Sequence, residues 1–128
     1  MKYVNTAVKK LDADALVQGK PVYTDDLAPK DCLIIKLLRS PHAHAKIVDI
    51  DTKIAEKVPG VELILTCKNA PRHRYTSAGQ TYPEWSPYDR VLCDDTMRYV
   101  GDVAAIVAAD TEKHAEQACK LIKVIYQV

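Results

Sequence analysis

The chain has 128 residues, 48% of them hydrophobic and 27% charged, with 18 Lys and Arg against 17 Asp and Glu for a formal net charge of +1. That is enough for one domain able to bury about two-thirds of the surface its unfolded form exposes, and a charge so near zero excludes the strong positive field of a nucleic-acid or membrane-surface binder. The opening MKYVNTAVKKLDADALV lacks the continuous apolar stretch of a secretion signal, and no later run approaches the roughly 18 apolar residues of a membrane span, so the cytoplasm is the expected compartment.

In chain order, residues 1–30 show little periodicity, and GKPVYTDDLAPKD (Gly19 to Asp31) has the Gly, Pro and Asp density of an extended arm with turns. LIIKLL (Leu33 to Leu38) is short, β-branched and apolar on nearly both sides, which predicts a largely buried strand ending before Pro41. AKIVDID reads as a second strand. Asp51 or Thr52 can then cap a short helix over TKIAEKV, stopped by Pro59 and Gly60. VELILT alternates strictly, and its Val61, Leu63 and Leu65 face is expected in the core.

Residues 69–90, NAPRHRYTSAGQTYPEWSPYDR, carry three prolines, Tyr75, Tyr82, Tyr88 and the single tryptophan, Trp85, without helical or strand periodicity. An irregular segment of this length marks function, an interface or mobility. Order returns with a turn at MRYV and Gly101 feeding VAAIVAA, a continuous apolar strand of the kind covered on both faces. Asp110 is placed to cap the last helix, TEKHAEQACKLI, whose Ala115, Ala118, Cys119 and Ile122 form one stripe. KVIYQV closes as a strand with Val124, Tyr126 and Val128 on one face, and its abrupt end inside the pattern is expected of a domain excised from a longer polypeptide.

The chemistry-bearing residues do not assemble into a strong motif. His42 and His44 lie one residue apart in RSPHAHA, but a lone HxH without further ligands is a weak metal signal, and His73 and His114 fall elsewhere. Backbone hydrogen bonding in the turn is the expected role of the pair. Ser40 has no nucleophile elbow, and the isolated glycines form no phosphate loop. Asp25-Asp26 and Asp94-Asp95 read as solvated turn carboxylates. Lys68, Arg72, Arg74 and Tyr75 group as a local basic patch, which near zero net charge meets an acidic protein surface or water rather than nucleic acid. Cys32, Cys67, Cys93 and Cys119 have no metal-site spacing and are expected to be reduced thiols, mostly buried or partly buried.

Five stretches taken together, DADALVQGKPVYTDDL, RSPHAHAKIVDID, PGVELILT, AGQTYPEWSPYD and MRYVGDVAAIVAADT, resemble the amino-terminal α/β-hammerhead domain of the large subunit of molybdenum hydroxylases, the xanthine dehydrogenase and aldehyde oxidase family. They run in the family's order over nearly the whole chain. The resemblance implies an α+β fold of about six strands in a mixed sheet arrangement with two packing helices, residues 1–128 forming a single hammerhead domain. It implies an enzyme that hydroxylates purine-like heterocycles or aldehydes with water as oxygen source, using molybdenum-pterin, iron–sulfur clusters and FAD. The expected partners are the molybdopterin-binding core of the same polypeptide and the iron–sulfur and flavin domains or subunits. The family's catalytic, cofactor-binding and metal-ligating residues lie downstream, so none is expected here, and RSPHAHA is expected to be a structural and interface turn. Where the family usually has proline after the acidic residue of RYVGEP, this chain has Val103 after Asp102, which predicts a looser turn. The alternative is a free-standing small binding domain that takes a ligand on the aromatic loop 69–90.

Overall fold

The computed structural model describes residues 4–76 and 87–128. The chain divides into two compact units, Met1–Cys32 and Leu33–Val128. In the first, the expected extended arm contains a short helix, α1 (Ala13–Val17), and a 3-10 turn over Thr24–Leu27. The turn is held by the Asp26 carboxylate, which accepts from the Tyr23 backbone N–H at 2.9 Å. An acidic side chain at this spacing satisfies a donor that the start of a helical turn leaves free.

The second unit holds β1 (Ile34–Arg39), β2 (Ala45–Asp51), β3 (Val61–Thr66), β4 (Thr96–Met97), β5 (Val103–Ala109), α2 (Glu112–Leu121) and β6 (Lys123–Gln127). Two three-stranded sheets form, in the orders β1-β5-β3 and β4-β2-β6. The α+β class and the six expected strands are present. Every pairing among the named strands is antiparallel, so the mixed arrangement resolves into two antiparallel sheets. One cluster of buried side chains joins both sheets, drawing Ala45, Ile47, Ile50 and Met97 from the second and Ile64, Ala105, Val107 and Ala109 from the first.

The helix α2 lies on the first sheet through its small residues. Ala115 and Ala118 are fully buried, which lets the helix backbone approach the sheet closely. Thr111, rather than the expected Asp110, is its N-cap, its hydroxyl accepting from the His114 backbone N–H at 3.3 Å. The other predicted helix, over residues 52–58, shrinks to a single 3-10 turn at Ala55–Lys57. Seven residues before a proline are too few to repay helix nucleation, and the buried contact of Ala55 needs only one turn.

Two strands differ from expectation in which face they bury. The strand β1 stands at a sheet edge with a regular half-buried alternation, so Ile35 and Leu37 are exposed where a largely buried strand was predicted. In β3 the core face carries Ile64 and Thr66, and Leu63 is exposed, the reverse of the expected assignment. The cause is a bulge. Val61 pairs with Ala109 and Leu63 with Ala108, leaving Glu62 as the extra residue; a single inserted residue flips every later side chain to the opposite face. The buried Thr66 is satisfied locally, its backbone N–H donating to the Asn69 Oδ1 at 2.7 Å and its hydroxyl pairing with the same oxygen at 3.1 Å.

Candidate functional site

The feature that stands out chemically is the outward face of the first sheet. Registration of β1 and β3 on the central β5 sets two cross-strand rows on this face, Ile35–Ala108–Leu63 and Leu37–Ile106–Leu65. All six side chains are apolar, yet Ile35 is 61%, Leu63 49% and Leu37 36% exposed, and Leu65 and Ile106 are only part-buried. Within VAAIVAA itself the outward Ala108 is buried and Ile106 is part-buried, so the exposure of this face falls on the flanking β1 and β3. The outward face of the second sheet obeys the opposite rule. Its cross-strand pairs are Lys46 with Gln127, Asp49 with Ile125 and Asp51 with Lys123, five polar residues among six. A sheet face that meets water permanently reads as polar, and the second sheet does so within the same domain.

The RSPHAHA turn is anchored from the opposite end of the chain. Ser40 is buried; its backbone N–H donates to the Asp102 carbonyl and the Gly101 N–H donates to the Ser40 carbonyl, each at 2.8 Å. The Ser40 hydroxyl also accepts from the His42 backbone N–H at 3.1 Å. The His42 ring meets Tyr126 edge to face, with centroids 5.0 Å apart, and His44 is exposed. The hydrogen bond in the turn is thus made by the His42 backbone rather than by the imidazoles expected to make it, and the two rings lie in different surroundings.

The Asp102 side chain does a second job. Its carboxylate accepts from the backbone N–H of Arg98 at 3.0 Å and of Val103 at 3.1 Å, and the Arg39 guanidinium donates to the Gly101 carbonyl at 2.8 Å. The turn predicted to be loose for want of proline is tied instead, because valine supplies an N–H that proline lacks.

Of the acidic and basic candidates, Asp94 and Asp95 come together with Arg72 and Arg74 in one open cavity of about 380 Å3 that Asp89 and Arg98 also line, whereas Asp25 and Asp26 stay in the Thr24–Leu27 turn. Asp94 accepts from Arg98 at 2.8 Å and lies 3.7 Å from Arg72. Partial burial is the largest single effect and works against its charged form, but the Arg98 hydrogen bond, the hydrogen bond from the Asp95 backbone N–H and the Arg98 charge together outweigh it and leave its carboxyl below the usual range. The cavity is charge-balanced, with three cations facing three carboxylates. Lys68 is engaged elsewhere, donating to Asp49 at 2.6 Å and to the Ile50 carbonyl at 3.0 Å. The basic patch expected at 68–75 is accordingly split between two sites.

Of the long loop, Tyr75 and Arg90 close the neck through a reciprocal backbone pair at 2.9 and 3.1 Å, and the Arg90 guanidinium lies over the Tyr99 ring. Tyr75 and Tyr88 are exposed. Residues 77–86, with Tyr82 and Trp85, lie outside the described residues.

All four cysteines are free. Cys93 is buried, and burial reinforced by the nearby Cys67 thiol pushes its pKa up to about 11. Burial also raises Cys67 and Cys119. Cys32 is the exposed one of the four. His114 Nδ1 lies 2.6 Å from the Asp110 carboxylate on the first turn of α2. His73 is exposed in the loop. Among the described residues, no group of three or more His, Cys, Asp or Glu is placed to hold a metal ion. Among the described residues, no such donor set is therefore offered to the metal of a molybdenum–pterin group. Nor, among the described residues, is any helix long and apolar enough to cross a membrane.

Residues 18–128 match the family described as aldehyde oxidase and xanthine dehydrogenase, a/b hammerhead domain. This chain belongs to that family. The hammerhead assignment covers both sheets and α2. Among relatives, the chain is 48% identical over 119 residues to the protein named probable hypoxanthine oxidase XdhD of Escherichia coli strain K12, covering 93% of this chain and 12% of that one. It is 34% identical over 125 residues to the xanthine dehydrogenase/oxidase of Mus musculus, covering 97% and 9%. Among solved structures, quinoline 2-oxidoreductase from Pseudomonas putida 86 superposes with a TM-score of 0.76 at 32% identity, covering 95% of this chain and 16% of that one. The hammerhead chain therefore spans less than one-fifth of these relatives.

Proposed function

We propose that this chain serves as the scaffold and interface domain of a molybdenum-dependent hydroxylase and carries no catalytic, cofactor-binding or metal-ligating residue itself. One observation supports the reading above others: the domain leaves an apolar sheet face in water, while titratable side chains such as Asp102 and Arg98 make structural contacts, Asp102 with the Arg98 backbone and Arg98 with Asp94. A face of that kind is an interaction surface rather than a reaction site. In the complete enzyme, molybdenum-pterin, iron–sulfur clusters and FAD would supply the redox chemistry from other domains or subunits. The substrate would be a purine-like heterocycle or an aldehyde, oxidised with water as oxygen source. The names of two relatives, hypoxanthine oxidase and quinoline 2-oxidoreductase, favour a nitrogen heterocycle. The partners would be the molybdopterin-binding core of the same polypeptide and the iron–sulfur and flavin components, in the cytoplasm and without nucleic acid or membrane. In this scheme RSPHAHA acts as a structural turn holding β1 and β2 against the Gly101–Asp102 turn.

The test compares the 128-residue chain with the polypeptide translated from its uninterrupted reading frame. Molybdenum content and turnover of a purine and of an aldehyde are expected only in the longer polypeptide. Turnover by the 128-residue chain alone, or a stop codon directly after Val128, overturns the reading.

A further inference from the structure

We infer that the face formed by Ile35, Leu37, Leu63, Leu65, Ile106 and Ala108 is covered by a single apolar helical segment of the same polypeptide, from the portion that the relatives carry beyond this domain. This rests on the reading of the chain as one domain of a longer enzyme. The apolar character of the face is not a by-product of strand composition. The second sheet places Lys46, Asp49, Asp51, Lys123 and Gln127 on its own outward side, with Val48 at the strand irregularity and Ile125 as the exposed apolar residues among them, so this chain does make mainly polar outer faces where water is the neighbour. The Glu62 bulge sharpens the point. By shifting β3 one residue, it sends Ile64 and Thr66 inward and delivers Leu63 and Leu65 to the outer rows beside Ile35 and Leu37.

The size of the face decides between occupants. Three strands about 4.8 Å apart, with two side-chain rows about 7 Å apart along them, give a patch roughly 15 Å on a side, of about 200 Å2. Face-to-face packing of two copies through this patch buries about 400 Å2 in total, well short of the roughly 1,200 Å2 that a stable interface between separate molecules needs. A segment on the same chain is held nearby at millimolar effective concentration and needs no such area. Relatives of which this domain is 12% and 9% contain ample polypeptide to supply it. One helix, about 10 Å across with its side chains, fits the width of the three-stranded face. Ala108 sits between Ile35 and Leu63 in one row, which leaves a low point between two ridges for a large apolar side chain of that helix.

The experiment is site-specific thiol labelling by maleimide, read by peptide mass spectrometry, on Ile35→Cys, Leu63→Cys and the control Val48→Cys, in the 128-residue chain and in the full polypeptide. Val48 is 61% exposed on the second sheet, and all three sites tolerate the change because they are already in water. In the 128-residue chain all three are expected to label at similar rates. In the full polypeptide, positions 35 and 63 are expected to label at least about tenfold more slowly while position 48 is unchanged, and the protection should persist on dilution to nanomolar protein. Equal labelling of all three in the full polypeptide overturns the inference. So does protection that fades on dilution, which makes the occupant a second copy, and so does slow labelling at 35 and 63 in the 128-residue chain. Molybdenum content and turnover of the same full-length samples report separately on the enzyme reading, so the two can fail independently.

Discussion

Gly60 offers a direct test of how β3 is fastened to β5. Its φ is +82°, in the left-handed region, and its carbonyl accepts from the Asp110 backbone N–H at 2.9 Å, one step beyond the Val61–Ala109 pair. A methyl group at this position meets two obstacles. Holding alanine at that φ costs about 1–2 kcal/mol. A Cβ would also collide with the Asp110 carboxylate, which then has to swing away from its 2.6 Å contact with His114. That ion pair is solvent-exposed and its loss is screened, so the backbone and the collision dominate, for a total of about 2 kcal/mol. For a domain of this length Gly60→Ala should lower the melting temperature by about 6–10 °C, measured by circular dichroism or calorimetry. The double variant Gly60→Ala/Asp110→Ala removes the collision but keeps the backbone strain, so it should recover part of the loss relative to the sum of the two single changes. An unchanged melting temperature for Gly60→Ala would refute the left-handed requirement. A double variant that shows no recovery would refute the collision.

Met97 in β4 has no exposed surface, so Met97→Ala should leave a cavity and cost about 2–5 kcal/mol of unfolding free energy by denaturant titration; a loss under about 1 kcal/mol would mean that the core closes around the gap. The hydrogen bond with His114 holds the Asp110 carboxyl below its ordinary range, so its contribution is present above the unfolded carboxylate pKa and lost as pH falls through the lower folded value. The melting-temperature gap between the natural chain and Asp110→Asn should therefore be widest near neutral pH and close on acidification, and a gap that widens in acid contradicts the assignment. Alkylation at about pH 8 should modify the exposed Cys32 first and Cys93 last, since burial both shields Cys93 and raises its pKa; early labelling of Cys93, followed by peptide mapping, would show that its site opens readily.

Much of the fold could be read along the chain. AKIVDID and VAAIVAA are short apolar, β-branched-containing runs and the Ala115–Ala118–Cys119–Ile122 stripe carries a period of about 3.6, signals that depend only on neighbours in sequence, and β2, β5 and α2 appear where they place them. The five family motifs are also contiguous strings, which is why membership in the aldehyde oxidase and xanthine dehydrogenase family was legible before any coordinate. What tertiary structure decided is whatever depends on pairing across distance. Strict alternation in VELILT cannot reveal which face is inward, because the inserted Glu62 exists only relative to Ala108 and Ala109 on β5. The clasp of Ser40 on Gly101 and Asp102 joins residues about sixty positions apart, and neither turn alone hints at the other. The two-residue β4 is too short for any periodic signal, yet it buries Met97 completely. The candidate interface belongs to the same class. Ile35, Leu63 and Ile106 each look like core residues in their own segments, and only the three-strand register shows them side by side on a face left in water. Side-chain period is set by local backbone geometry, whereas the choice of face and neighbour is set by long-range hydrogen bonds between strands.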